Sequence, residues 1–299
     1  MPILLGYLCG FPSGAKTVDT MLANKQISED EAYILASFVN NCSPIFILTT
    51  VGISMMSNIT VGLLLLISHF TSSFLFGIIY SRLHSYNIIH DKSNFSIKFG
   101  KNMSNRGEKE DISLPNMTKF EILQKSMINT FITLGFILGF MVIFNLLADI
   151  TYPILKRLIS NTYTLDMISG LFEMTRGVNS ISHHSEYFNN IIAISFLLGF
   201  SGLSVIFQIK SSFKHLNMSV NKLIIFKLIH GILSVIIAYI LLKYTNVLNI
   251  DITVFSNIET EENFRKTIAI SYAHSLSLIL LILSTYFLVR NEKKYITKK

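Results

Sequence analysis

The stretch "LCGFPSGAK", residues 8–16, interrupts an apolar run with Gly10, Pro12 and Gly14 and closes it with Lys16. An interrupted helix is ordinary in water, where solvent satisfies the freed backbone. In a bilayer it is tolerated only where it is buried in protein or lines a polar cavity. The fold therefore turns on which solvent the chain is written for, and the composition answers that. Hydrophobic residues make up 51% of the 299 and charged residues 14%, with a mean hydropathy of +0.51. A soluble globule of that composition would lack the polar surface to cover itself. The expectation is an all-α integral membrane protein.

Apolar stretches near 34–56, 59–80, 121–148, 187–209, 222–243 and 267–289 each approach the ~20 residues a helix needs to cross the hydrocarbon core, so about six spans are expected. The first dozen residues read as membrane-embedded structure rather than as a signal peptide, having neither a basic leader nor a small-residue cleavage site. Cys9 and Cys42 both lie in apolar surroundings, which argues against a disulfide framework and offers no cysteine metal spacing.

The net charge of +7 does not point to nucleic acid, because the basic residues fall between the apolar segments and at the tail. Segment 81–120, connection 210–222 and the C-terminal residues are lysine- and arginine-rich, and the positive-inside tendency makes them cytoplasmic. Segment 244–263 holds Asp251, Glu259, Glu261 and Glu262 and no Lys or Arg, so it belongs outside. Alternation then places 149–186, with "YPILKRLI" and "LDMISGLFEM", in a re-entrant hairpin on the outer side. Residues 17–31, "TVDTMLANKQISEDE", fall in the cytoplasm beside the first break. The charged run 98–111 reads as a cytoplasmic loop.

Each half carries the same series. "GFPSGAKTVDT" is followed by "AYILASFVNNCSPIFILTTVGI", and "GLFEMTRGVNS" by "NIIAISFLLGFSGLSVIFQI". Both run from a glycine-rich break to a cation, a polar turn and a helix interrupted at Ser-Pro or Ser-Gly. Lys16 to Asn41 and Arg176 to Ser201 are equally spaced. With the topology above, the units have opposite orientations, the inverted-repeat arrangement of secondary transporters. Four parts follow: a first repeat over 1–80, a cytoplasmic loop over 81–120, a second repeat over 121–243, and an outer loop, last span and basic tail over 244–299.

The breaks supply the candidate binding site. Half-helix N-termini aim positive dipole ends at the interior, and Lys16 and Arg176 add charge suited to an anion. Asn40, Asn41 and Ser43 on one side, with Asn179, Ser180, Ser201 and Gln208 on the other, supply hydrogen-bonding groups for a small planar or carboxylated solute. Gly10, Pro12, Ser13 and Gly14 read as its backbone cradle. They read equally as helix-packing and kink residues. Lys16 reads either as a ligand or as a topological anchor at a helix end. Glu173, one turn before Arg176, is its ion-pair partner or the carrier of a coupling proton. Asp149 reads as a solvated helix-terminal residue.

His69, His230 and His274 fall within spans, where they bond across helices or mark a pathway. His183, His184 and Glu186 lack metal-ligand geometry, and no metal or cofactor is expected. No nucleophile–base spacing suggests an enzyme.

The motifs "GFPSGAK", "SFVNNCSPIFI", "LLISHF", "FEMTRGVNSIS" and "LLGFSGLSV" resemble, in order, those of sporulation integral membrane proteins of the YlbJ type, within the nucleoside-recognition or Gate-domain superfamily. The resemblance covers nearly the whole chain except 85–118 and makes the two repeats Gate-like. It implies a transporter that moves dipicolinate toward the developing spore from the mother-cell-derived outer forespore membrane. Such relatives carry further membrane segments ahead of the glycine-rich motif, so a truncated chain or a late start is expected here. The alternatives are a gate or scaffold subunit that needs a partner, a homo-oligomer among them, and a carrier of nucleosides. Besides lipid, the expected partner is a small anionic solute.

Overall fold

A computed structural model describes residues 2–92 and 118–247. The acidic residues from Asp251, the span 267–289 with His274, the basic tail and the charged run 98–111 lie outside the described residues. Among those described, every regular element is a helix, as an all-α membrane protein requires. The order is α1 (Pro2–Leu8), α2 (Ser13–Ala23), α3 (Glu29–Phe38), a π-helix (Phe46–Met55), α4 (Ile59–Lys92), α5 (Lys119–Leu158), α6 (Thr162–Phe172), α7 (Met174–Ser182), α8 (Tyr187–Phe200), α9 (Gly202–Ser212) and α10 (Val220–Val247).

Four stretches are long and apolar enough to cross a membrane: Ile59–His84, Leu123–Leu158, Tyr187–Ser212 and Val220–Tyr244. The expected span at 34–56 is instead two short helices, α3 and the π-helix, separated by 39–45. Its Asn-Asn and Ser-Pro residues divert the backbone from a continuous ladder. The hairpin expected within 149–186 is α6 and α7. Residues 17–31 are not all loop, because α2 continues to Ala23 and α3 begins at Glu29 behind a capping box of Ser28 and Glu31.

The same series of elements occurs twice. A helical hairpin (α1–α2, then α6–α7) is followed by an interrupted helix (α3–π, then α8–α9) and a long helix (α4, then α10). Close glycine contacts join the later elements of each series. A methyl group on Gly52 would lie 2.7 Å from Gly62 Cα, and one on Gly199 would lie 2.6 Å from Gly231 Cα. Small residues are what let helix backbones approach in a membrane.

The helix α5 stands outside both series and packs on α9 and α6. Only 11% of its apolar window is buried, against 78% for Tyr187–Ser212. Thus α5 has a broad exposed apolar surface among the described residues, while α8–α9 is largely buried. One core cluster joins the π-helix, α4, α7 and α8 through Ile47, Leu65, Ile181 and Leu197. A second joins α2, α3, α9 and the start of α10 through Val18, Ala36, Ile209 and Leu223.

Candidate functional site

Four interruptions build the site. In the first, Gly10 adopts φ +77° and the Phe11–Pro12 bond is cis. A β-carbon at Gly10 would lie 2.9 Å from the Ser43 backbone nitrogen, and one at Gly14 would lie 2.4 Å from the Val39 carbonyl oxygen. The glycines thus let the α1–α2 hairpin close onto the second interruption, 39–45. Phe11 N–H donates to the Asn41 carbonyl at 2.9 Å. The amide nitrogens of Asn40 and Asn41 turn back to the Ala36 and Phe38 carbonyls at 3.1 and 2.9 Å, closing the end of α3. Cys42 N–H donates to Nε2 of His69 on α4 at 3.1 Å, and Phe46 N–H donates to the Ser43 hydroxyl at 3.3 Å.

Glu173 is the third interruption. It is extended, buried, and caps α7 by accepting Arg176 N–H at 2.8 Å. The fourth is Ser201–Gly202, with φ of 69° and 73°. A β-carbon at Gly202 would lie 3.0 Å from the Met174 nitrogen, so the third and fourth interruptions pack on each other as the first and second do.

The first three border one cavity of about 240 Å³, and α9, which begins at the fourth, completes its wall together with α5. Its wall is formed by Cys9, Gly10 and Phe11 from the first interruption and by Cys42, Ser43 and Phe46 from the second. Glu173, Met174 and Thr175 come from the third, Val205 and Gln208 from α9, and Ile137 and Met141 from α5. The volume is below the ~300–1,000 Å³ of drug-sized sites and suits a small solute. Among these lining residues the polar groups are the Ser43 and Thr175 hydroxyls, the Glu173 carboxylate and the Gln208 amide, with no lysine or arginine. Gln208 donates to Ser204 at 3.1 Å, and its Oε1 is buried without a hydrogen-bond partner.

Of the residues singled out in the sequence, Gly10, Ser43, Glu173 and Gln208 line the cavity. Pro12 and Gly14 are buried, and Ser13 opens α2. Asn40, Asn41 and Ser201 are buried at the interruptions. Asn179 is exposed and Ser180 half-buried on α7. Lys16, exposed on α2, donates to the Thr133 hydroxyl of α5. The Arg176 guanidinium pairs with Asp149 at the far part of α5 rather than with Glu173. Asp149, expected to be merely solvated, is therefore a partner. His184 meets Asp166 at 2.8 Å.

Two features escaped the sequence reading. Lys227, within the apolar run of α10, is buried and donates to the Asn40 carbonyl. A lysine inside a span is itself a signal, but "LIIFKLIHG" lacks the glycine-rich break that marks "LCGFPSGAK" and "GLFEMTRGVNS". The second is Asp19, whose carboxylate accepts N–H groups of Lys214, His215 and Leu216 at 3.0, 2.8 and 3.0 Å.

No family model matches the chain, and no solved structure matches it. The sporulation integral membrane protein YlbJ of Bacillus subtilis (strain 168) is 24% identical over 263 residues, taking in 81% of this chain and 63% of the relative. The chain thus spans less than two thirds of that curated relative's length.

Proposed function

Taking the chain as a sporulation integral membrane protein of the YlbJ type, as that similarity supports, we propose that it carries a small solute across a membrane through the cavity bordered by three of its helix interruptions and by α9. The convergence of three interruptions, and of the helix that begins at the fourth, on one cavity carries this reading. Unwound backbone at membrane depth is tolerated where it serves such a space. Dipicolinate is the solute proposed, moved across the outer forespore membrane without a bond being made or broken. Helix N-termini at Phe46 and Met174, both in the cavity wall, bring positive dipole ends to its carboxylates, and Phe11 and Phe46 offer faces to its ring.

The wall also favours a second reading. It includes Glu173 and, among the lining residues, no cation, a combination better matched to a neutral nucleoside-like solute than to a dianion. One experiment separates the two. Vesicles containing the full chain are assayed for uptake of radiolabelled dipicolinate and of a radiolabelled nucleoside, with and without Glu173→Gln, which keeps an oxygen for the α7 cap. For dipicolinate, removing the like charge tightens binding by about tenfold or more. Nucleoside uptake with background dipicolinate uptake establishes the second reading. Background uptake of both overturns the carrier and leaves a gate subunit that works with a partner.

A further inference from the structure

Lys227 presents an unusual arrangement for a membrane interior. It lies in the apolar stretch Val220–Tyr244, is 4% exposed, and is without an ion pair to a carboxylate among the described residues. Its ammonium donates instead to the Asn40 carbonyl, beyond the C-terminal end of α3. That end collects oxygen. Besides the Asn40 carbonyl, Oδ1 of Asn40 and Oδ1 of Asn41 are buried without hydrogen-bond partners, in side chains 2% and 0% exposed.

The surroundings add no negative charge. His230, one turn along α10, contacts the His69 carbonyl at 3.0 Å, and the two imidazole rings are 4.7 Å apart. Buried oxygens without donors are costly. At an interrupted membrane helix, the negative dipole end and freed carbonyls form the kind of place that holds a coupling cation.

We propose that Lys227 is the resident cation of this interruption: its ammonium occupies, at the open end of α3, the place a free sodium ion would take, so the protein binds its solute without binding Na⁺. The transport consequence rests on the carrier reading above. The cation place itself does not, and it is tested without any solute.

The test is thermal unfolding of the purified full chain in detergent, in sodium chloride and in choline chloride at equal ionic strength. The unmodified protein is expected to unfold at the same temperature in both. Lys227→Ala opens the place, and its unfolding temperature is expected to rise with Na⁺ and then saturate, because a ligand that binds only the folded state stabilises it. A Na⁺-dependent rise in the unmodified protein overturns the proposal. So does a folded Lys227→Ala protein indifferent to Na⁺. If Lys227→Ala does not fold, Lys227→Arg is the second variant: it keeps the charge and is expected to fold and remain indifferent to Na⁺. Its misfolding, or a gain of Na⁺ dependence, counts against an ammonium-for-sodium role. Since neither dipicolinate nor a nucleoside enters these measurements, their outcome is separate from that of the uptake assay.

Discussion

Gly10 is held by two constraints at once, a backbone in the left-handed region and a neighbour, the Ser43 nitrogen, 2.9 Å from where a β-carbon would be. A side chain in that backbone region costs roughly 1–2 kcal/mol before the contact is considered. Gly10→Ala is therefore expected to lower the unfolding temperature in detergent, whereas Gly135→Ala, where a β-carbon meets nothing within 4 Å on α5, should leave it unchanged or raise it slightly. Equal losses in the two variants would remove the packing role assigned to Gly10. The same scale explains why the ion-pair alternative for Glu173 and Arg176 is not the one the fold adopts. Glu173 is three positions away and on the expected face, but as the α7 N-cap its carboxylate accepts a backbone N–H. The guanidinium is left to reach Asp149 on α5.

Between elements, the first series is fastened to the second by Asp19. From α2 it caps the connection between α9 and α10, taking three backbone N–H groups and contacting Nδ1 of His215 at 3.0 Å. Burial alone would push its carboxyl up, but the combined donors hold it below the ordinary carboxylate value. A depressed folded-state pKa stabilises the fold above the unfolded value, ~3.9, and that contribution is lost as pH falls through the folded value. Asp19→Asn is accordingly expected to unfold at a lower temperature than the unmodified protein near neutral pH, with the gap narrowing below about pH 4. A gap constant over that range would show that the carboxylate's charge does not fasten the connection.

At the level of the whole molecule, the duplicated series makes a specific demand on orientation. Lys210, Lys214 and Lys222 flank the α9–α10 connection, which the positive-inside tendency assigns to the cytoplasm. The α7–α8 connection at 183–186 is then expected outside. With Cys9 and Cys42 replaced by serine, Ser185→Cys in intact cells is expected to react with an impermeant thiol reagent and Asn217→Cys to be protected; both native residues are exposed in the fold. Protection of the first or reaction of the second would overturn the orientation assigned to the second series.

The amino-acid sequence by itself determined the solvent, the helical class and the positions at which helices are interrupted. Those properties reside in local composition: long apolar runs satisfy their own backbone only as helices, and Gly10, the Asn40–Asn41 pair with Ser43, and Ser201–Gly202 mark where the ladder stops. Only the tertiary structure decided which interruptions meet, that Lys16 and Arg176 turn toward α5, and that Lys227 reaches Asn40 from a helix 187 positions away. The reason is that an interruption's position is set by nearest neighbours along the chain, whereas the partner of a buried carbonyl or charge is set by which helices pack together.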